Sequence, residues 1–151
     1  MKVLRTRPLA AGLLALGVAA PAALAATHAG LRGKNAQGLA ITLSAASKAG
    51  VRTVAFNARM SCSNAMKLTD DSFSDQVRPS AKGYFRVDST TNAGATVTAL
   101  HGTIKGSRAS GAMRIVEYFS GIPNSSNHYP LQAHGSIRCD SGTVKWTAKK
   151  R

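Results

Sequence analysis

Hydrophobic and polar residues alternate along much of the chain, and this alternation predicts its first strands. Every second residue from Leu39 to Leu43 is apolar, and so is every second residue from Val54 to Cys62. A period of two is typical of a strand that buries one of its faces. Because a short connection containing Gly50 joins the two runs, we expect them to form a β-hairpin.

The rest of the chain continues this pattern, with turn residues between apolar runs. The polar stretch 69–75 predicts a long loop, and turns are expected at 91–94 and 107–111. About seven or eight strands and no helix are typical of an antiparallel β-sandwich or jelly roll, with a small closed β-barrel as the alternative. Further strands are expected in five segments: 83–88, 96–105, 112–119, 133–139 and 144–148.

Residues 1–25 follow a different pattern, that of a secretory signal peptide. Basic residues precede an uncharged apolar run, and small residues follow at the positions that a signal peptidase accepts. The run reaches only about 12 residues before Pro21, whereas a transmembrane anchor needs about 20. We therefore expect cleavage after Ala25 or Ala26, a single mature domain at 26–151, and an extracellular location.

The two cysteines, Cys62 and Cys139, both lie in the mature part of the chain. An even number of cysteines in an exported protein indicates a disulfide, and both residues fall on inward rows of different predicted strands. No Cys or His pair has the close spacing of a zinc site, so we expect no metal or cofactor. Asp70, Asp71 and Asp75 share the predicted loop, where a solvated turn is favoured over a calcium site.

The mature chain is strongly basic. Once the signal peptide is removed, 17 Lys and Arg stand against six acids, a net charge of +11. These charges are scattered along the sequence except at Lys149, Lys150 and Arg151, which form the candidate contact with a polyanion. Anionic cell-wall polymers, polysaccharides and lipid headgroups are the expected partners of a monomer. Nucleic acid is disfavoured, because few exposed aromatic residues are available to stack on bases.

A catalytic set is not evident in the sequence. There is no Gly-x-Ser-x-Gly motif, and His128 and His134 flank Tyr129-Pro130 in what is expected to be one loop. The leading hypothesis is a non-enzymatic binding or structural module with weak affinity for anionic surfaces. The alternative is a small secreted hydrolase or lyase, with a site assembled from His128, His134 and an aspartate. A third class, a partner-binding domain, would expose an apolar patch in the segment 118–130.

Three short motifs carry a resemblance to a known group of proteins. They are Gly33-Lys-Asn-Ala-Gln-Gly38, Gly102-Thr-Ile-Lys-Gly-Ser-Arg-Ala-Ser-Gly111 and Cys139-Asp-Ser-Gly-Thr-Val-Lys-Trp-Thr-Ala148. With these motifs the chain resembles small secreted proteins of actinobacteria that carry no assigned activity. The resemblance implies a β-sandwich outside the cell, and it transfers no functional residue.

Overall fold

The structure, a computed structural model, describes residues 30–150, without the side chains of residues 69–71. The expected signal peptide and Arg151 lie outside the described residues. The described chain is all-β apart from a single 3-10 turn at Asn92–Gly94. It contains nine strands: β1 (Leu31–Asn35), β2 (Ala40–Leu43), β3 (Arg52–Cys62), β4 (Lys67–Val77), β5 (Tyr84–Thr91), β6 (Thr96–Lys105), β7 (Arg108–Phe119), β8 (Ile137–Asp140) and β9 (Val144–Lys149).

Six of these strands form a closed barrel. Going round the ring, the order is β3, β2, β1, β9, β7 and β8, and every neighbouring pair is antiparallel. The short strand β8 closes the ring because it pairs with β7 along one edge and with β3 along the other. Beyond the ring, β4 extends from β3, while β6 and β5 extend from β7.

This architecture matches the closed barrel that was the alternative in the sequence analysis, and the favoured sandwich or jelly roll is not confirmed. A sandwich and a barrel both bury every second side chain of each strand, so alternation alone does not distinguish them. The distinction depends on β8, whose four residues pair with two strands that are distant in sequence.

The disulfide between Cys62 and Cys139 is confirmed. The two residues lie directly opposite each other in the β3–β8 register, with their Cα atoms 3.9 Å apart. The bond therefore holds the strand that closes the barrel against β3.

The predicted inward rows form the core. Leu43, Val54 and Phe56 are buried, as are alternate residues of β9 from Val144 to Ala148. On β9, the ring of Trp146 stacks on Phe85 of β5, with the ring centroids 6.1 Å apart. The residues at this level in the two intervening strands are glycines, which leave room for both rings.

The expected loop at 69–75 is wrong, because these residues belong to β4. Their polar composition resembles that of a loop. It is tolerated because β4 lies at the edge of the sheet, where it pairs with β3 on one side. The ring of Phe73 stacks on Phe56 of β3 at a centroid distance of 5.7 Å, which anchors the polar strand to the core.

Two other boundaries also differ from the sequence analysis. The turn expected at 107–111 consists only of Gly106 and Ser107, and β7 already begins at Arg108. The strand expected at 133–139 is shorter and later, at Ile137–Asp140. Among the described residues, no helix has the length and hydropathy needed to cross a bilayer.

Candidate anion-binding groove

Four cationic side chains stand in one row across four neighbouring strands. In the strand registers, Arg32 of β1 lies opposite Lys149 of β9, and Lys149 lies opposite Arg108 of β7. Arg108 in turn lies opposite Lys105 of β6. All four residues are exposed, and directly opposed residues of paired strands project to the same face. The row therefore lies on the outer surface of the sheet.

Local sequence fixes the two ends of this row. At one end, the two-residue turn that begins at Gly106 joins Lys105 to Arg108, and Gly106 has a φ of 57°, which favours glycine. At the other end, Gly33 allows β1 to approach β9 closely, because a Cβ at this position would lie 1.8 Å from the carbonyl oxygen of Thr147. The neighbours of Gly33 on β1 are Arg32 and Lys34, both of which face outward.

A second row runs parallel to the first, two residues further along each strand. It consists of Lys34, Thr147, Ser110 and Thr103, each opposite the next in the registers. Within residues 30–150, the three hydroxyl groups of this row form no hydrogen bond to another protein group. The outer face thus combines five cations with three hydroxyls that are free to contact a ligand.

These residues line a groove with a volume of about 960 Å³. Among the described residues, no acidic side chain lines it, and its five cations form no ion pair. The ion pairs lie elsewhere, where Asp88 pairs with Arg86 and Asp140 pairs with Arg114 and Arg138. Uncompensated positive charge in a concave surface attracts anions more strongly than the same charge dispersed over the molecule.

The cluster around Asp140 neutralises two arginines away from the groove. Arg114 donates two hydrogen bonds to the Asp140 carboxylate, at 3.0 Å from Nε and 2.6 Å from Nη2. The backbone N–H of Gly142 donates a third at 2.8 Å. The hydrogen bonds from Arg114 are the main reason that the pKa of Asp140 lies well below its ordinary value.

One residue of the groove, Lys149, was among the candidates predicted from the sequence. It belongs to β9 and lies in the centre of the cationic row. Lys150 is exposed just after the strand, where its backbone N–H donates a hydrogen bond to the carbonyl oxygen of Ser107 at 2.8 Å. Arg151 lies outside the described residues.

The histidine candidates lie away from the groove. His128 and His134 are exposed in the connection between β7 and β8, and His134 has a φ of 56°. In the part of the chain that the structure describes, neither imidazole forms a hydrogen bond or ion pair with a carboxylate. Nor does any group of three His, Cys, Asp or Glu residues within this part have the arrangement of a metal site. In the same connection, within the segment 118–130 where a partner-binding domain would expose an apolar patch, the side chain of Ile122 is 77 % exposed.

Sequence reasoning missed the rest of the groove because its residues are far apart along the chain. Arg32 and Lys34 lie near the start of the mature part, more than 70 positions from Lys105 and Arg108. Arg32 and Lys34 belong to β1, which was not among the expected strands, and Arg108 fell within the turn expected at 107–111. Recognising the groove also requires the strand order β1-β9-β7-β6, which local alternation does not provide.

Comparison of the chain with protein-family models, with curated proteins and with solved structures finds no match.

Proposed function

We propose that this protein is a non-enzymatic binding module of the cell exterior that attaches to anionic polymers through the groove on its outer face. The observation that carries the proposal is the row of Arg32, Lys149, Arg108 and Lys105. Like charges directly opposite each other destabilise a sheet, and here three consecutive pairs are alike. The negative charges of an anionic ligand would compensate this repulsion.

The exterior location is supported by two features of the chain. The disulfide between Cys62 and Cys139 is typical of proteins that fold in an oxidising compartment. The pattern of residues 1–25 is that of a signal peptide. The anionic polymers and polysaccharides of the cell surface would be within reach of a protein exported in this way.

The test is retention of the exported protein on isolated cell walls over a series of salt concentrations. If four cations contact the polymer, raising the salt from about 50 to 200 mM should weaken binding about 100-fold, by analogy with polyanion binding to DNA. A variant with Arg32, Lys105, Arg108 and Lys149 all replaced by Gln should be released at low salt.

A matched control removes the same number of charges from other exposed positions. In it, Lys48, Lys67, Arg78 and Lys82 are replaced by Gln. Because both variants have the same net charge, retention of the control and loss of the groove variant would assign binding to the groove. Equal retention of the two variants would overturn the proposal.

A further inference from the structure

We infer that the ligand of the groove is an acidic glycan, a linear chain of sugars that carries oxyanion groups at intervals and lies across the strands. The inference rests on the proposed function and adds the class and the orientation of the ligand. It is drawn from the two parallel rows of the groove, one cationic and one rich in hydroxyls.

The cationic row requires an extended ligand. Neighbouring strands lie about 4.8 Å apart, so the backbone positions of Arg32 and Lys105 are separated by about 14 Å across three strand spacings. A single phosphate or carboxylate can contact only part of this row. A linear polyanion that crosses the strands can present successive charges to Arg32, Lys149, Arg108 and Lys105 in turn.

The hydroxyl row indicates a second chemical property of the ligand. Thr147, Ser110 and Thr103 lie about 7 Å from the cationic row, which corresponds to two residues along each strand. Each hydroxyl can both donate and accept a hydrogen bond, as the hydroxyl groups of a sugar do. A sugar chain with its charged groups on the cationic row would therefore place its ring hydroxyls within reach of the second row.

The groove lacks the features that favour other polyanions. No aromatic side chain lines it among the described residues, and one exposed aromatic residue, Tyr84 of β5, lies beside it opposite Thr103. Single-stranded nucleic acids are bound by stacking successive bases on several such side chains. The exposed large apolar residues of the described chain, which include Ile122 and Leu131, lie outside the groove. A membrane-surface site would combine its basic residues with apolar side chains that enter the lipid.

The experiment compares three probes by calorimetry at constant ionic strength. Oligogalacturonate carries both carboxylates and hydroxyls, polyphosphate carries charge without hydroxyls, and dextran carries hydroxyls without charge. We expect oligogalacturonate to bind about tenfold more tightly as its length increases from a dimer to a tetramer, with little change once it covers the row. Dextran should not bind. Vesicles containing phosphatidylglycerol provide a fourth arm, and binding tighter than that of oligogalacturonate would overturn the inference.

A triple variant isolates the hydroxyl row without changing the charge. In it, Thr103 and Thr147 are replaced by Val and Ser110 by Ala. Loss of one or two net hydrogen bonds should weaken oligogalacturonate binding about tenfold, while the affinity for polyphosphate changes by less than about twofold. Equal effects on the two probes, or no effect on either, would overturn the glycan assignment. The proposed function would then still stand or fall by the groove variant and its matched control.

Discussion

Lys149 lies directly opposite Arg108 on the outer face of the barrel, and Arg32 lies opposite it on the other side. Lys149, like Arg108, therefore has a like charge on both neighbouring strands. Such an arrangement lowers stability in the absence of a ligand. Because Lys149 costs stability and lies in the proposed binding groove, we expect it to trade stability for binding.

The first prediction tests this trade at a single position. Replacing Lys149 by Gln should raise the free energy of unfolding by about 0.2–1 kcal/mol at low salt, because it removes two repulsive pairs. It should also weaken binding to cell walls. The matched control is Lys145→Gln on the same strand and face, since Lys145 lies opposite Ala112 instead of a cation. Urea denaturation of both variants measures the difference, and a gain for both or for neither would contradict the explanation.

A second prediction concerns the close approach of β1 to β9 at Gly33. In Gly33→Ala the added methyl group would meet the carbonyl oxygen of Thr147, so the two strands must separate. We expect a loss of about 1–3 kcal/mol in unfolding free energy, typical of overpacking, and weaker binding, because Arg32 moves out of the row.

Gly30→Ala is the control for this substitution. A Cβ at Gly30 would be 3.4 Å from its nearest neighbour, the carbonyl oxygen of Leu43, which is an ordinary contact. Thermal unfolding should distinguish the two variants. If Gly33→Ala were as stable as Gly30→Ala and bound equally well, the close approach of the strands would not matter for the groove.

The third prediction concerns the bond between Cys62 and Cys139. The two cysteines are 77 positions apart, so the loop-closure model gives a stabilisation of about 4.5 kcal/mol. This is comparable with the whole stability of a small domain. The double variant Cys62→Ala/Cys139→Ala should unfold at a much lower urea concentration than the oxidised wild type. Adding a reductant should lower the urea midpoint of the wild type and leave that of the double variant unchanged. Equal midpoints for the two proteins would show that the bond does not stabilise the barrel.

The sequence predicted the strands better than their arrangement. Alternation predicted β2, β3, β6 and β9 because each of them buries one face and exposes the other, so that apolar residues occur at every second position. The alternation of apolar and polar residues is weaker in β4. Polar residues are tolerated on this strand, where Phe73 supplies the stacking contact with Phe56.

The closure of the barrel and the groove depend on contacts between distant parts of the sequence. β8 has only four residues, and its pairing with both β3 and β7 is a property of the whole ring. The cationic row likewise needs the neighbours of β9 to be known. Lys149 was therefore identified from its place in a basic tail, whereas Arg32 was identified only when the strands were ordered.

A final prediction follows from the carboxylate of Asp140. Because hydrogen bonds from Arg114 hold its folded-state pKa below the ordinary value, the ionised form contributes to stability. The contribution is fully present above the unfolded-state pKa of about 3.9 and is lost as the pH falls toward the folded-state value. Asp140→Asn should therefore cost about 1–2 kcal/mol at pH 7, since the half-exposed arginine partners reduce the effect of a charged hydrogen bond.

The same carboxylate makes a distinct prediction at low pH. Urea unfolding measured from pH 7 to pH 2 should show the wild type and Asp140→Asn converging as Asp140 becomes protonated. Asp88→Asn is the control, because Asp88 and its partner Arg86 are both more than half exposed, and an exposed pair contributes little. A difference between the wild type and Asp140→Asn that stayed constant down to pH 2 would mean that the substitution acts through packing, and the Arg114–Asp140 pair would not be a source of pH-dependent stability.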